Sequence, residues 1–151
     1  MRRLKRFWLP VLCVLLAVLT ACGAPAGEPE PERPLTCTVS VSCAALLDHM
    51  DLLDESKHGL VPEDGVLLPE TQVSFAAGES VYDVLQRVCQ EERLHMEAEF
   101  TPLYDSYYIQ GIGNLYEFDA GSLSGWMYAV NGWFPNYGCS RYELRDGDTV
   151  A

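Results

Sequence analysis

The chain has 151 residues, 10 basic against 22 acidic, with a formal net charge of −12 at pH 7. Four of the ten basic residues and none of the acidic ones fall in residues 1–21, so residues 22–151 carry six basic and 22 acidic residues, net −16. A surface of that sign repels nucleic acid and anionic lipid, which excludes both as partners recognised by charge.

The first element is a leader. Arg2, Arg3, Lys5 and Arg6 precede an apolar run from Phe7 to Leu19, 13 residues broken only by Pro10. A bilayer-spanning helix needs about 20 apolar residues, whereas a signal-peptide core needs roughly 7–15. The run ends in Leu19-Thr20-Ala21-Cys22, which resembles the bacterial lipobox. That resemblance implies cleavage before Cys22, lipidation of Cys22 and an extracytoplasmic chain held on the cell membrane by its lipid. Two or more acyl chains anchor stably where one binds only marginally.

Cys22 and residues 23–36 make a tether. Pro25, Pro29, Pro31 and Pro34 favour extended polyproline II, and three glutamates repel one another. At about 3.1 Å per residue such a segment spans about 40 Å. It has nothing to build a core from.

Residues 37–151 make one domain of 115 residues, a usual size for a single core. There is no internal repeat. Cys37, Val39, Val41 and Cys43 alternate with polar residues and predict a strand. Ala44–Leu53 reads as a short helix. Residues 54–70, with Gly59, Pro62, Gly65 and Pro69, read mostly as loop. Thr71–Phe75 is a second strand. Ser80 with Asp83 three residues on looks like a helix cap, and Val81, Val84, Leu85 and Val88 lie on one helical face of about three turns. Leu94, Met96, Ala98 and Phe100 alternate on a third strand, and Tyr107–Ile112 is a fourth. In Gly125–Pro135, two strand-like runs flank Asn131-Gly132, a pair suited to a type I′ hairpin turn because both residues need positive φ. Tyr142-Glu-Leu144 and the Arg145-Asp-Gly-Asp148 turn prepare a hairpin, whose return strand opens with Thr149-Val150. The fold class expected is α+β: a small mixed or antiparallel sheet with one main helix packed on it.

Gly125-Trp-Met-Tyr-Ala-Val-Asn-Gly132 and Gly138-Cys-Ser-Arg-Tyr-Glu-Leu-Arg-Asp-Gly-Asp-Thr-Val150 resemble the transcobalamin-like C-terminal domain family. Gly78-Glu-Ser-Val81 before the helix fits the same pattern. The resemblance covers about residues 37–151. It implies a helix on a small mixed sheet, and a domain that in vertebrate cobalamin carriers covers one face of a corrin while a helical domain holds the other. This chain has no room for that helical domain. Family members usually continue past the Asp-Gly-Asp turn into a strand with a Trp, an aromatic and a cysteine. Those most like this chain also often carry a cysteine where Ala120 stands. That likeness implies that the chain stops before its last strand, and an open sheet edge and low stability are expected at its C-terminal side.

Cys37, Cys43, Cys89 and Cys139 remain once Cys13 is lost with the leader and Cys22 is lipidated, and four cysteines in an oxidising compartment allow three pairings. If the second strand returns antiparallel beside the first, the helix from Ser80 runs back over it and brings Cys89 above Cys43. That pair is the expected disulfide, with Cys37 and Cys139 missing their usual family partners. No catalytic constellation is expected: there is no Gly-x-Ser-x-Gly, His-Glu-x-x-His or phosphate loop. No metal site is expected either. His49, His58 and His95 lack zinc-ligand spacing. Asp48, Asp51 and Asp54 lack the glycine and terminal glutamate of a calcium loop.

The aromatics are the remaining signal. Trp126, Tyr128, Asn131, Trp133, Phe134 and Tyr137 are the candidate ligand-binding residues, set against the plainer alternative that the rings are core and cross-strand pairs. Strand alternation puts Trp126 and Tyr128 on one face, Met127 and Ala129 on the other. The function expected is a non-catalytic surface module for a corrinoid or another flat molecule, with no resident cofactor. The alternative is an adhesion or structural module that binds a protein or glycan.

Overall fold

The computed structural model describes residues 33–151, and Pro34–Ala151 form a compact unit. The leader, Cys22 and most of the tether lie outside the described residues. No helix among the described residues is long and apolar enough to cross a membrane.

The fold is α+β, as expected, but with two three-stranded sheets where one was anticipated. β1 (Leu35–Ser42) is the centre of the first, flanked by β2 (Val66–Phe75) and β6 (Thr149–Val150). β2 runs antiparallel to β1 and β6 parallel to it, so this sheet is mixed. β3 (Met96–Thr101), β4 (Ser106–Ile112) and β5 (Leu115–Tyr116) form an antiparallel meander.

The one α-helix among the described residues, α1 (Val81–Glu91), begins as the sequence predicts. Ser80 Oγ accepts from the Asp83 amide at 3.3 Å, and the Asp83 carboxylate accepts from the Ser80 amide at 2.8 Å, a reciprocal capping box. Val81, Val84, Leu85, Val88 and Cys89 are buried against Cys37, Val39 and Val41 of β1 and Leu68, Val73 and Phe75 of β2. The Tyr82 ring stacks on Tyr107 of β4 at 4.2 Å, which ties the helix to the second sheet.

Four expectations about the path of the backbone are corrected. Ala44–Leu53 is not an α-helix. It makes two 3-10 turns, Ala44–Leu46 and Met50–Leu52, with tight three-residue hydrogen bonds such as Leu47 N to Ala44 O at 3.0 Å. Residues 54–70 are not mostly loop, because β2 already begins at Val66 and a 3-10 helix spans Glu55–Leu60. Pro69 is tolerated inside β2 because the register slips there. Thr71 faces Val39 and Leu68 faces Val41, so Pro69 and Glu70 stand opposite Ser40 alone. The Asn131-Gly132 turn forms, with φ of 52° and 79°, but its flanks are not strands: Val130 bridges Trp133 and the pairing goes no further.

The fourth correction concerns Tyr142–Leu144. It does not pair with the segment after the Asp-Gly-Asp turn. It lies against the start of α1: the Val81 amide donates to Tyr142 O at 3.0 Å and the Leu144 amide to Glu79 O at 3.0 Å. The turn then carries the chain across to β1, where Thr149 and Val150 pair with Thr38 and Val39.

Cys37, Cys43, Cys89 and Cys139 are all buried and all free thiols. Cys89 belongs to the main apolar cluster, whereas Cys43 packs with Leu53 and Leu115 in a separate smaller one. The expected Cys43–Cys89 disulfide is absent, because the start of the 3-10 segment draws Cys43 away from the helix side. The Cys43 amide is held by Gly65 O at 2.7 Å.

Candidate functional site

A cavity of about 510 Å³ opens between the first sheet, β4 and the segments 126–128 and 135–139. Its apolar wall comes from the inner face of α1 and β4: Val81, Leu85, Ile109 and Ile112. Its rings are Tyr104, Tyr107, Tyr108, Trp126, Tyr128 and Tyr137. The size falls within the roughly 300–1,000 Å³ usual for small-ligand pockets, as does an apolar lining with a few polar groups.

Local hydrogen bonds fix the orientation of three of these rings. Trp126 Nε1 donates to Leu115 O at 2.9 Å, so the indole is pinned to β5. Tyr128 Oη donates to Tyr137 O at 2.9 Å, tying segment 126–128 to segment 135–139. Tyr108 Oη donates to the Glu117 carboxylate at 2.6 Å. The Tyr128 and Tyr108 phenols are held protonated. Burial pushes Tyr128 far above its ordinary range, and the bond to Glu117 raises Tyr108. Trp126, Tyr128 and Tyr108 thus present ring faces to the cavity, each with its one donor engaged within the protein.

Gly138 sets the approach of the 135–139 segment to β4. A Cβ there would overlap Ser106 Oγ and lie 2.8 Å from Ser106 Cβ. The contact is reinforced from the next residues: Ser140 Oγ lies 2.9 Å from Ser106 Oγ and accepts from the Tyr107 amide at 2.9 Å.

Of the six residues singled out in the sequence, Trp126, Tyr128 and Tyr137 line the cavity. Asn131, Trp133 and Phe134 do not. The Asn131 amide is engaged with Asp148. Trp133 and Phe134 are 54% and 61% exposed at the hairpin tip, Trp133 edge-on to Tyr137 at 6.2 Å. The alternation argument placed Tyr128 correctly and gave Met127 the opposite face, yet Met127 also lines the cavity mouth because 125–129 is irregular. Tyr104, Tyr107 and Tyr108 were missed as site residues. Their strand was anticipated, but which face of it meets segment 126–128 depends on packing between the two sheets.

A second hollow of about 430 Å³ lies on the other side of Trp126 and Met127, lined by Leu46, Leu52, Leu115 and Leu123 among others. No group of three or more His, Cys, Asp and Glu side chains able to hold a metal is found among the described residues. Asp48, Asp51 and Asp54 are exposed, and Asp54 caps the 3-10 helix by accepting from the Ser56 amide at 2.9 Å.

Residues 78–151 match the family model described as a domain of unknown function (DUF4430). No curated protein matches the chain. Among solved structures, the chain is similar to the crystal structure of "a putative metal binding protein from Ruminococcus gnavus ATCC 29149". The TM-score is 0.41 at 17% identity, over 79% of this chain and 92% of that one.

Proposed function

We propose that the chain is a non-catalytic ligand-binding module, held on the outside of the cell membrane through lipid on Cys22, with the aromatic cavity as its site. One observation carries the reading: an apolar cavity of ligand size in which two rings, Trp126 and Tyr128, are fixed by hydrogen bonds to the protein's own backbone and so pre-oriented before anything binds. Preorganised rings cost little entropy on binding, and each stacked ring contributes about 1 kcal/mol beyond area burial. The site holds no activated nucleophile or paired acid and base, which favours binding over catalysis.

The small-molecule candidate is a corrinoid, supplied by the transcobalamin-like resemblance of residues 125–132 and 138–150. The cavity takes only part of so large a ligand. Micromolar affinity is the expected ceiling. The test is a titration of cyanocobalamin followed by Trp fluorescence and heat. Trp126→Ala and Tyr128→Ala should weaken binding at least tenfold, while Trp133→Ala, outside the cavity, should not. Absence of heat at millimolar ligand rejects the corrinoid. Equal effects of all three substitutions reject the cavity as the site.

A further inference from the structure

The turn at Asn131-Gly132 carries a chemistry of its own. A backbone amide that follows an asparagine can attack the side-chain carbonyl, and a glycine in that place leaves the attacking nitrogen unhindered. Gly132 meets that condition. Both residues are exposed, a Cβ added at Gly132 would meet nothing within 4 Å, and the Gly132 amide has no protein acceptor among the described residues. The fold restrains the other reactant instead. Asn131 Nδ2 donates to Asp148 Oδ1 at 2.8 Å and Asn131 Oδ1 accepts from the Thr149 amide at 2.9 Å, so both ends of the side-chain amide are held. The backbone is fixed as well. Val130 N donates to Trp133 O at 2.8 Å, Trp133 N donates to Val130 O at 3.0 Å, and φ is 52° and 79° at the two central residues, a type I′ turn. In that turn ψ of the first central residue is about +30°, the mirror of type I. The Gly132 nitrogen then points away from Asn131 Cβ, whereas ring closure needs the two on one side of the Cα–C bond.

We propose that Asn131-Gly132 is a deamidation site gated by β6: the closed clamp holds the reaction off, opening allows it, and the product keeps the clamp from closing again. In the open state a solvent base takes the Gly132 amide proton and the nitrogen bonds to Asn131 Cγ. The Cγ–Nδ2 bond breaks, and Nδ2 takes a proton from water and leaves as ammonia. Water then opens the cyclic imide at either carbonyl, leaving aspartate or isoaspartate at position 131. Both products lose the donor to Asp148. Isoaspartate also reroutes the backbone through the side chain and lengthens the turn. Aspartate puts a carboxylate where the amide stood. Asp148 is 5% exposed, so the two carboxylates face each other with little water between them and repel unless one binds a proton. The strand so released is anchored in the core: Val150 bridges Val130, and both are buried in the main cluster.

The experiment incubates the full chain at mildly alkaline pH, native and in denaturant. It follows the Asn-to-Asp mass change in the peptide that holds residue 131, and isoaspartate by enzymatic methylation. Asn114 and Asn136, followed by Leu115 and Tyr137, are internal controls. Conversion at Asn131 should be at least tenfold slower in the native chain, and Asp148→Ala, which frees one end of the amide, should speed native conversion severalfold. Equal rates in the native and unfolded chain, or no acceleration in Asp148→Ala, overturn the gate. The lock is tested with Asn131→Asp and with the swap Asn131→Asp/Asp148→Asn, which returns one amide and one carboxylate to the pair in opposite places. Asn131→Asp should raise hydrogen exchange of the amides of Ala129 and residue 131 at least tenfold, and the swap should restore most of the protection. Unchanged exchange in Asn131→Asp overturns the lock. Equal loss of protection in both variants shows that facing carboxylates are not its cause, and overturns it too.

Discussion

The side-chain amide of Asn131 donates to Asp148 Oδ1 at 2.8 Å, and through that one bond the two most recognisable motifs of the sequence hold each other. Asn131 Oδ1 accepts from the Thr149 amide at 2.9 Å, and Asp148 Oδ2 accepts from the Arg145 amide at 2.9 Å. Asp148 is only 5% exposed, so its carboxylate depends on these donors. Val-Asn-Gly and Asp-Gly-Asp are thus two halves of one clamp that sets β6 beside β1. The motif residue Asn131 is structural, and the cavity begins where the clamp ends.

Asn131→Gly keeps the positive φ and removes the side-chain amide. It leaves a buried carboxylate short of one donor and the Thr149 amide short of its acceptor, and should cost about 1–3 kcal/mol. Asn131→Ala adds the penalty of a left-handed backbone and should cost about 1–2 kcal/mol more. Chemical denaturation of both variants checks the order. If Ala proves as stable as Gly, the turn has relaxed and the φ assignment fails.

Gly138→Ala should destabilise by about 1–3 kcal/mol through overlap with Ser106, not through backbone strain, because its φ is −66°. Ser106→Gly removes the obstructing side chain, so the double variant should recover part of the loss. A double-mutant cycle measures the coupling. Additive losses would place the clash elsewhere.

Burial pushes the Cys89 and Cys139 thiols up to about 11 from an ordinary 9.0. Both groups are neutral when protonated, so the folded state holds protons that the unfolded state releases. The stability they contribute is fully present below pH 9 and is lost as pH rises through about 11. At 1.36 kcal/mol per unit the loss is on the order of 2–3 kcal/mol for each thiol. Denaturant midpoints of the reduced protein across pH 8–11 should fall. Cys89→Ala and Cys139→Ala should flatten that fall, whatever they do to stability at pH 7. An unchanged slope in both variants would assign the alkaline loss to other groups.

Cys22→Ser should abolish labelling by a fatty-acid analogue and leave the chain uncleaved or released from membranes. Labelling that persists in the variant removes the anchor from the proposal.

Where local rules and tertiary packing agree, the sequence was enough to find the element. Ser80, Asp83 and four apolar residues at helical spacing define α1, and Asn131-Gly132 defines its turn, because each signal is complete within a few residues. Ala44–Leu53 failed for the opposite reason. Leu46, Met50 and Leu53 have helical spacing, but the segment is stretched over the small cluster and held at one end by Gly65, whose added Cβ would lie 2.7 Å from the Ala44 amide nitrogen. The strand character of Val66–Glu70 was hidden by Pro69, which only a bulge opposite Ser40 accommodates. The candidate site was half legible. Trp126 and Tyr128 announce themselves as a dense aromatic run, whereas Tyr107 and Tyr108 join them only because two sheets meet, a relation no local pattern encodes.

The slip in β1–β2 pairing at Leu67 has a consequence for motion. Val41 faces Leu68 and Ser42 faces Val66, so Leu67 is left over, and it packs against both the main cluster and the small one of Cys43, Leu53 and Leu115. Trp126 touches both as well. Two side chains are therefore the joint between a large cooperative body and a small apron. Amide exchange should fall into two tiers, with 43–60 opening at a fraction of the global cost while α1 and β1 stay closed. Whatever settles against Trp126 would tighten that joint, and occupancy of the cavity would be felt as slower exchange in an apron it never touches.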